Sequence, residues 1–573
     1  MITRIALTLL AALLLAMPVA AEGTTRLYKM FDRGTDLEAI HGVPIGAVHH
    51  WAWDDIETAP GVYNWAKIDA AHAAERVLGK PVMTQIIVSY STSSRAGWPA
   101  YTPLDATPEH VYARGVPHKI MHGRRVGHII EDAQGNQMAM PAYDNATWRR
   151  AYYDMIRAFA VRYDGQVDVV IMSVGLDGET QPAKHGWMTA LRNDDRYAGI
   201  EYRWGQFVEQ SIGVYGNAFI ETTSLLNNAP GGAARGHRAA IIAAHHAEGK
   251  NVGLKHSGLQ PDIDSYQGWG VDFHGNPTVG SWDPIITYST TLPIALESAH
   301  WMSQENIYWS MFAALHYHPT WVDWHASWFD AIRRDDLHWF WPHVQARTPE
   351  DAPSAWVVLR DSEFPRSSWG PGGYMGKQGN WEYWLTQTNA GQTAQVLRAQ
   401  MPAAKDAIES RQARRGTRFE FAIDPGFVAD SYDVTLRYLD IGAGSITVGG
   451  QTAYRANTGV WQSATFRVSG QAFAVTASPE MILHRIDVTR RSPLDAITPT
   501  ATPTHTYTPT ATHTPTLTAT ATMTPTRTPV PATLTPTPMD VEMACWQTVL
   551  TLHYPDGRVQ VIEGEIECMG GER

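Results

Sequence analysis

The chain has 573 residues, enough for roughly three to four domains. Acidic residues outnumber basic ones by 57 to 45, a formal net charge of −12, which argues against nucleic acid or an anionic membrane as a partner because both call for basic patches. A carbohydrate substrate fits better, since 22 Trp and 23 Tyr stand against 14 Phe and such amphipathic rings pack on the C–H faces of sugars.

The first element in chain order is a predicted signal peptide over residues 1–21. Arg4 precedes an apolar run from Ile5 to Met17, and Pro18-Val19-Ala20-Ala21 follows as a small-residue cleavage site. That run is too short for a membrane span, and no later stretch approaches the ~20 apolar residues that a span needs. We therefore expect a secreted, extracellular protein without a membrane span.

Residues 22–375 are predicted to form a (β/α)8 barrel. Trp148, Tyr152, Ile156 and Phe159 lie on one face of a helix, and short apolar strands alternate with such helices. The strand candidates are residues 81–88, 167–174, 252–255, 293–296 and 307–315. Near-continuous apolar strands are typical of parallel sheets covered on both faces. A doubly wound open sheet is the alternative, but no strand is followed by the Gly-rich nucleotide loop of that fold.

Three further segments follow the barrel. Residues 376–492 alternate apolar and polar side chains with glycines between strands, which predicts a β-sandwich. Residues 493–539 are nearly all Thr, Pro and Ala and predict a disordered, extended linker. Residues 540–573 predict a small β-module that a Cys545–Cys568 disulfide closes and that is available for cell-surface association.

Two glutamates are the candidate catalytic residues. Glu179 and Glu297 each follow an apolar strand candidate, which in a barrel places them at the catalytic, C-terminal face. Their separation is 297 − 179 = 118 residues, or three βα units, so strands four and seven are suitable positions. Two carboxyl groups facing one cleft are what glycoside hydrolysis requires, one as a proton donor and one as a nucleophile or base.

The segment from Trp51 to Trp65, with Ile68-Asp69 and Gly79-Lys80-Pro81-Val82, resembles the early-barrel signature of β-galactosidase-like and related clan A glycoside hydrolases. The segment from Asn145 to Glu179 is similar to their helix-then-acid segment. The resemblance implies a retaining glycosidase without cofactor or metal, in which Glu179 is the acid/base and Glu297 the nucleophile.

The chain departs from that family at Gly178, where clan A members usually have the Asn that contacts the sugar 2-hydroxyl. Asp177 or Gln181 is expected to replace it. The pair Gly178-Glu179 is also similar to the acid segment of β-amylases, which implies inversion, so the stereochemical outcome stays open. A surface glycan-binding protein that has lost the chemistry is a further alternative.

The remaining site predictions concern substrate contacts. The candidates lie in the early loop, beside Glu179, on the sixth strand and in an aromatic-rich loop predicted to follow the last strand, and they are His49, Trp51, Trp53, Asp177, Gln181, Lys255, His256, His316, His318 and Trp321. His50 lies in the same early loop. The His316-x-His318 pair also suggests a metal site, but barrel hydrolases place such a pair at the first strand, so no metal is expected.

Overall fold

A computed structural model describes residues 26–30, 32–91, 104–183, 185–227, 235–261, 263–266, 280, 282–298, 302–361, 374–376, 379–491, 545–553 and 559–568. The chain divides into two compact units, residues 1–498 and 499–573. The predicted signal peptide and linker lie outside the described residues. Within the described residues, no helix has the length and apolar character needed to cross a membrane.

The first unit contains a closed barrel of eight parallel strands, which confirms the predicted fold class. The strands are β1 Leu27–Met30, β2 Gly46–Ala52, β3 Val82–Ile87, β4 Val169–Met172, β5 Thr223–Asn227, β6 Val252–Leu259, β7 Ile294–Ser298 and β8 Trp321–Trp324. Each pairs with its sequence neighbours, and β8 pairs with β1 to close the ring. Buried residues dominate the strands, as expected for a sheet covered on both faces.

Helices follow the strands around the barrel. They are α1 Leu37–His41, α2 Ala66–Val77, α3 Ala146–Tyr163, α4 His185–Asn193, α5 Ile200–Ala218, α6 Arg235–Ala247, α7 Asp283–Tyr288, α8 Gln304–His316, α9 Ala326–Ala331 and α10 Arg334–Gln345, with shorter helices at Trp53–Ile56 and Glu109–Ala113. The helix predicted from Trp148 to Phe159 is α3, and Asn145 caps it by accepting from the N–H groups of Thr147 and Trp148.

The strand predicted over residues 307–315 is wrong, because this segment lies within helix α8. Ser303 caps that helix by accepting from the Asn306 N–H. The segment is apolar on all sides because it packs between the barrel and the following sheet, where Trp309 donates to the Ile408 carbonyl oxygen and Tyr308 contacts His484. A helix covered on every side shows no amphipathic period, so its run of apolar letters looks like a buried strand.

Short hairpins decorate the barrel between its main elements. The pairs are Glu57–Ala59 with Val62–Tyr63, Ser89–Tyr90 with Leu104–Asp105, Lys119–Met121 with Arg124–Val126, His128–Glu131 with Gln137–Met140, and Ile263–Tyr266 with Tyr374–Gly376. Three of these five pairs lie between β3 and α3. The connection between β3 and α3 therefore carries most of these hairpins.

The chain after the barrel forms the sheet domain (residues 355–491), a hydrogen-bonded antiparallel sheet of ten strands. They are β9 Ala355–Val358, β10 Trp381–Tyr383, β11 Leu385–Gln387, β12 Ala394–Leu397, β13 Gln412–Ile423, β14 Tyr432–Leu439, β15 Gly444–Val448, β16 Gln451–Arg455, β17 Trp461–Val468 and β18 Ala472–Arg490. The long strand β18 pairs with β9, β13, β14 and β15. The sheet begins at β9, earlier than the predicted domain boundary at residue 376.

The second unit contains one described hairpin, β19 Cys545–His553 and β20 Val559–Cys568. Its antiparallel register pairs Cys545 with Cys568. The sequence between the two strands contains Asp556-Gly557, a pair typical of a tight turn, and these residues lie outside the described ones. The register is compatible with the predicted disulfide, which stays a prediction.

Candidate active site

An apolar layer inside the barrel identifies which face of each strand points inward. It consists of Tyr28, Met30, Val48, Met83, Val169, Ile171, Leu225 and Ala295, with Trp321 packed against it. Side chains alternate along a strand, so the residue two positions later points inward as well and lies nearer the C-terminal face. By this rule the next inward layer is polar: His50, Gln85, Asn227, Glu297 and Asp323. Lys255 of β6 joins it through its ion pairs.

Glu179 lies in the turn that leaves β4, at the C-terminal face. Asp177 and Gly178 have φ angles of 53° and 79°, and these consecutive left-handed residues reverse the chain so that Glu179 returns toward the barrel. Three anchors hold the turn: Asp177 N–H donates to the Ser89 carbonyl oxygen, Ser91 N–H donates to Asp177 Oδ1 at 2.8 Å, and Thr180 N–H donates to the Asn227 carbonyl oxygen. The position of Glu179 is therefore set from both neighbouring strands.

The environment of Glu179 favours the protonated carboxyl. Its pKa is raised to about 7 from an ordinary value of 4.5, chiefly by burial and further by the negative charge of Asp177. The positive charge of Lys255 and a hydrogen bond from Gln181 act in the opposite direction. Gln181 Nε2 donates to Glu179 Oε2 at 2.6 Å, which leaves Oε1 as the oxygen that carries the proton. Glu179 thus has the properties of a general acid.

The environment of Glu297 is the opposite, because cationic and hydroxyl donors surround it. Lys255 Nζ and Ser257 Oγ both donate to Glu297 Oε2, the latter at 3.0 Å. Asn227 holds the serine side chain in place, since its Nδ2 donates to Ser257 Oγ at 2.8 Å and its Oδ1 is an alternative acceptor at 3.1 Å. Charge-assisted donors of this kind stabilise an ionised carboxylate. Glu297 is therefore held in the form that a nucleophile or base needs.

Lys255 connects the two glutamates. Its Nζ pairs with Glu297 and, at 3.2 Å, with the buried Asp323 of β8. Burial lowers the pKa of Lys255, whereas the charges of Asp323 and Glu179 raise it. Burial raises the pKa of Asp323, and Lys255 opposes that effect. Lys255 thus bonds Glu297 and acts electrostatically on Glu179, and both carboxyl groups lie at the C-terminal ends of barrel strands.

Strands β2 and β3, on the opposite side of the barrel, carry uncharged polar groups. His50 of β2 and Gln85 of β3 are paired residues in the sheet. Burial and the positive charges of Lys255, His49 and Arg33 lower the pKa of His50 to about 3, so its imidazole is neutral at any ordinary pH. Neutral donors and acceptors facing two carboxyl groups suit a polyhydroxylated, uncharged ligand.

Of the ten predicted substrate-contact residues, Asp177, Gln181 and Lys255 lie beside the two glutamates. Three from the early loop do not, which corrects the prediction. His49 faces α2, where its Nε2 lies 3.1 Å from Glu75. Trp51 points the same way and donates to Thr84 Oγ1, while Trp53 is fully buried against the rings of Trp148 and Tyr152. Side chains alternate along β2, so His50, which lies between His49 and Trp51, points into the barrel while those two residues point outward.

The other four predicted contacts are also misplaced. His256 points outward from β6 and packs against Trp282 in a tilted arrangement, with 4.3 Å between ring centroids. His316 ends α8, His318 lies between α8 and β8, and Trp321 starts β8, so all three lie at the N-terminal end of the barrel. His316 contacts the Glu382 backbone and His318 packs on Tyr383 and Trp384, both in the sheet domain. The corrections for His316, His318 and Trp321 follow from α8 being a helix, whereas that for His256 follows from the strand phase of β6.

Sequence reasoning missed Gln85, Asn227, Ser257 and Asp323. The first three lie on or beside strands whose inward phase the apolar pattern alone does not reveal. Asp323 comes after residues 307–315, the predicted last strand, and so lies in a predicted loop. A signal existed for it, since Val322-Asp323-Trp324 places an acid between two large apolar residues that are both fully buried.

Comparisons with known proteins add likenesses in fold only. No protein-family model matches the chain, and no curated protein matches it. Among solved structures it is similar to the β-amylase catalytic domain of Paenibacillus polymyxa (11% identity, 57% of this chain and 96% of that one, TM-score 0.34). It is also similar to a psychrophilic family 10 endo-β-1,4-xylanase (14%, 52% and 85%, 0.29) and to an endo-1,4-β-xylanase of Caldicellulosiruptor owensensis (10%, 63% and 92%, 0.28). These values support no conclusion about activity, so only the chemistry of the site bears on function.

Proposed function

We propose that this protein is a glycoside hydrolase that cleaves O-glycosidic bonds of a neutral oligo- or polysaccharide. The observation that carries the proposal is the pair of carboxyl groups at the ends of strands four and seven, whose environments favour opposite protonation states. Burial favours the protonated form of Glu179, while Lys255 and Ser257 stabilise the charge of Glu297. General-acid cleavage of an acetal requires one protonated and one ionised carboxyl group of this kind.

The reaction follows from these two states. Glu179 transfers its proton to the glycosidic oxygen as the C–O bond breaks, and Glu297 attacks the anomeric carbon to form a glycosyl ester. Glu179, now a carboxylate, accepts a proton from water as that water attacks the same carbon and releases Glu297. The proposal thus assigns retention of configuration, as in the clan A enzymes that the sequence resembles, with Glu179 as acid/base and Glu297 as nucleophile.

Lys255 has a defined part in this scheme. Its ammonium group stabilises ionised Glu297 before attack, and it is anchored by the buried carboxylate of Asp323. It touches the reacting carboxylate directly, so we assign it to the catalytic machinery. Asp177 acts through Glu179, whose pKa it raises, and is a positioning residue.

The direct test is reducing-sugar release from starch, xylan, cellulose, mannan and galactan by the full-length protein. Glu179→Gln and Glu297→Gln are expected to lower kcat by at least about a thousandfold on the cleaved substrate while the protein stays folded. Glu248→Gln, in an exposed residue after α6, is the matched control and is expected to retain full activity. A folded wild-type protein that binds a glycan and cleaves none would instead establish the binding-protein alternative.

Stereochemistry has its own measurement. Proton NMR of the first-formed product distinguishes the two anomers before mutarotation, and retention is the expected result. Inversion would leave Glu179 as the acid and make Glu297 the base that activates water, as the β-amylase-like alternative implies.

Export is the remaining part of the proposal. Cleavage after Ala21, release to the medium and a Cys545–Cys568 disulfide would deliver the enzyme to polysaccharides outside the cell. N-terminal sequencing of the mature protein and non-reducing mass spectrometry of the C-terminal peptides test these points separately.

A further inference from the structure

Gln85 is a buried amide whose donor group has no evident structural purpose. The side chain is 1% exposed, and its Nε2 has no hydrogen-bond partner among the residues that the structure describes. Buried N–H groups are nearly always paired, because an unpaired one loses its bonds to water without replacement. An unpaired donor in the inward polar layer of the barrel is best explained by an acceptor that arrives with a ligand.

Gly178 is the residue that lets this amide occupy its position. A Cβ added to Gly178 would overlap Nε2, Cδ and Oε1 of Gln85, so only glycine is compatible with the amide at this place. Gly178 also has a φ of 79°, which side-chain-bearing residues rarely adopt. Glycine is therefore required directly before Glu179 for two independent reasons, the positive φ angle of the turn and the space that the Gln85 amide occupies.

The neighbours of Gln85 define the chemistry of the ligand. Its sheet partner His50 is a neutral imidazole, and both side chains point into the polar layer across from Lys255 and Glu297. Glu179 follows directly after Gly178, so the amide lies beside the general acid. A neutral amide N–H next to a neutral ring, facing two acids, fits a sugar hydroxyl oxygen.

We propose that Gln85 is a specificity-determining residue that donates a hydrogen bond to a hydroxyl group of the sugar whose glycosidic bond is cleaved. The inference rests on the proposed function. It names Gln85 as a hydrogen-bond donor and a sugar hydroxyl as its acceptor, and it explains why glycine is needed at position 178. Binding of the sugar satisfies the buried N–H, so part of the binding free energy comes from relieving that unpaired donor.

Kinetics on the cleaved oligosaccharide and on its monodeoxy analogues provide the test. Gln85→Leu is expected to lower kcat/KM about tenfold on the parent sugar, the loss typical of one hydrogen bond with a buried partner. One deoxy analogue is expected to show a similar loss with wild type and almost no further loss with Gln85→Leu, because both changes remove the same bond. Gly178→Ala, which displaces the amide, is expected to behave like Gln85→Leu toward that analogue.

Controls separate contact from general damage. Gln206→Leu, in a half-buried glutamine of α5, is expected to leave kcat/KM unchanged, and thermal unfolding of every variant checks folding. If Gln85→Leu and every deoxy change act additively, Gln85 does not touch the sugar and the assignment is overturned while the hydrolase proposal stands. If wild type neither cleaves nor binds maltohexaose, xylohexaose, cellohexaose, mannohexaose or galactohexaose in calorimetry, the hydrolase proposal and the Gln85 assignment both fail.

Discussion

Replacing Asp177 by Asn perturbs the general acid through a single charge. Asp177 lies two residues before Glu179, and its carboxylate raises the pKa of Glu179. Asn keeps the Oδ1 acceptor that Ser91 N–H uses and tolerates the φ of 53°. The substitution therefore removes the charge and leaves the turn intact.

The size of the effect follows from the protonated fraction of Glu179. With a pKa of about 7, half of the enzyme carries the proton at pH 7 and about 9% at pH 8, whereas an ordinary glutamate would be only about 0.3% protonated at pH 7. A general acid is active only when protonated, so kcat/KM should fall through a basic limb centred near pH 7 and drop tenfold for each further pH unit. Asp177→Asn should move that limb to lower pH.

The assay is the pH dependence of kcat/KM on the cleaved substrate between pH 4 and 9, with Asp195→Asn, in an exposed residue, as the matched control. The limb of the control should coincide with that of wild type. A wild-type limb near pH 4.5, or a limb that stays in place or moves upward in Asp177→Asn, would show that burial and Asp177 do not set the acidity of Glu179.

Three further outcomes are expected. Glu179→Gln should raise Tm relative to wild type only above pH 4.5, and the full gain of about 1–3 °C should appear above pH 7. The reason is that the pKa of Glu179 is higher in the folded than in the unfolded protein, so wild type loses stability as the pH rises from 4.5 to 7. Scanning fluorimetry measures Tm, and an equal gain at pH 4 would contradict this. Lys255→Met should lower the free energy of unfolding by about 3–5 kcal/mol by leaving the buried Asp323 carboxylate unpaired, and adding Asp323→Asn should recover part of the loss in urea titrations. His318→Ala should cost about 1–3 kcal/mol of stability with kcat/KM unchanged, since its ring packs on the sheet domain; lost activity in a folded variant would return His318 to the site.

Much of the fold was predictable because its signals are local. The apolar strands β3, β4, β6 and β7 are short runs that neighbouring helices and glycines delimit, and this alternation is typical of a parallel barrel. The acids that end two of those runs, Glu179 and Glu297, were predictable for the same reason, since catalytic groups of barrels follow strands. Residue order along the chain was enough to place both at the C-terminal face.

The sequence by itself thus determined the barrel and its two candidate carboxyl groups, because both depend on local apolar patterns and on where strands end. Only the tertiary structure decided the direction of each side chain and the covering of each helix. His50 rather than His49 points inward because strand phase is set by pairing with β3, and α8 is apolar on its outer side because the sheet domain covers it. Likewise, Lys255 reaches Glu297 and Asp323 only once β6, β7 and β8 pair side by side, since contacts between strands have no counterpart in local sequence.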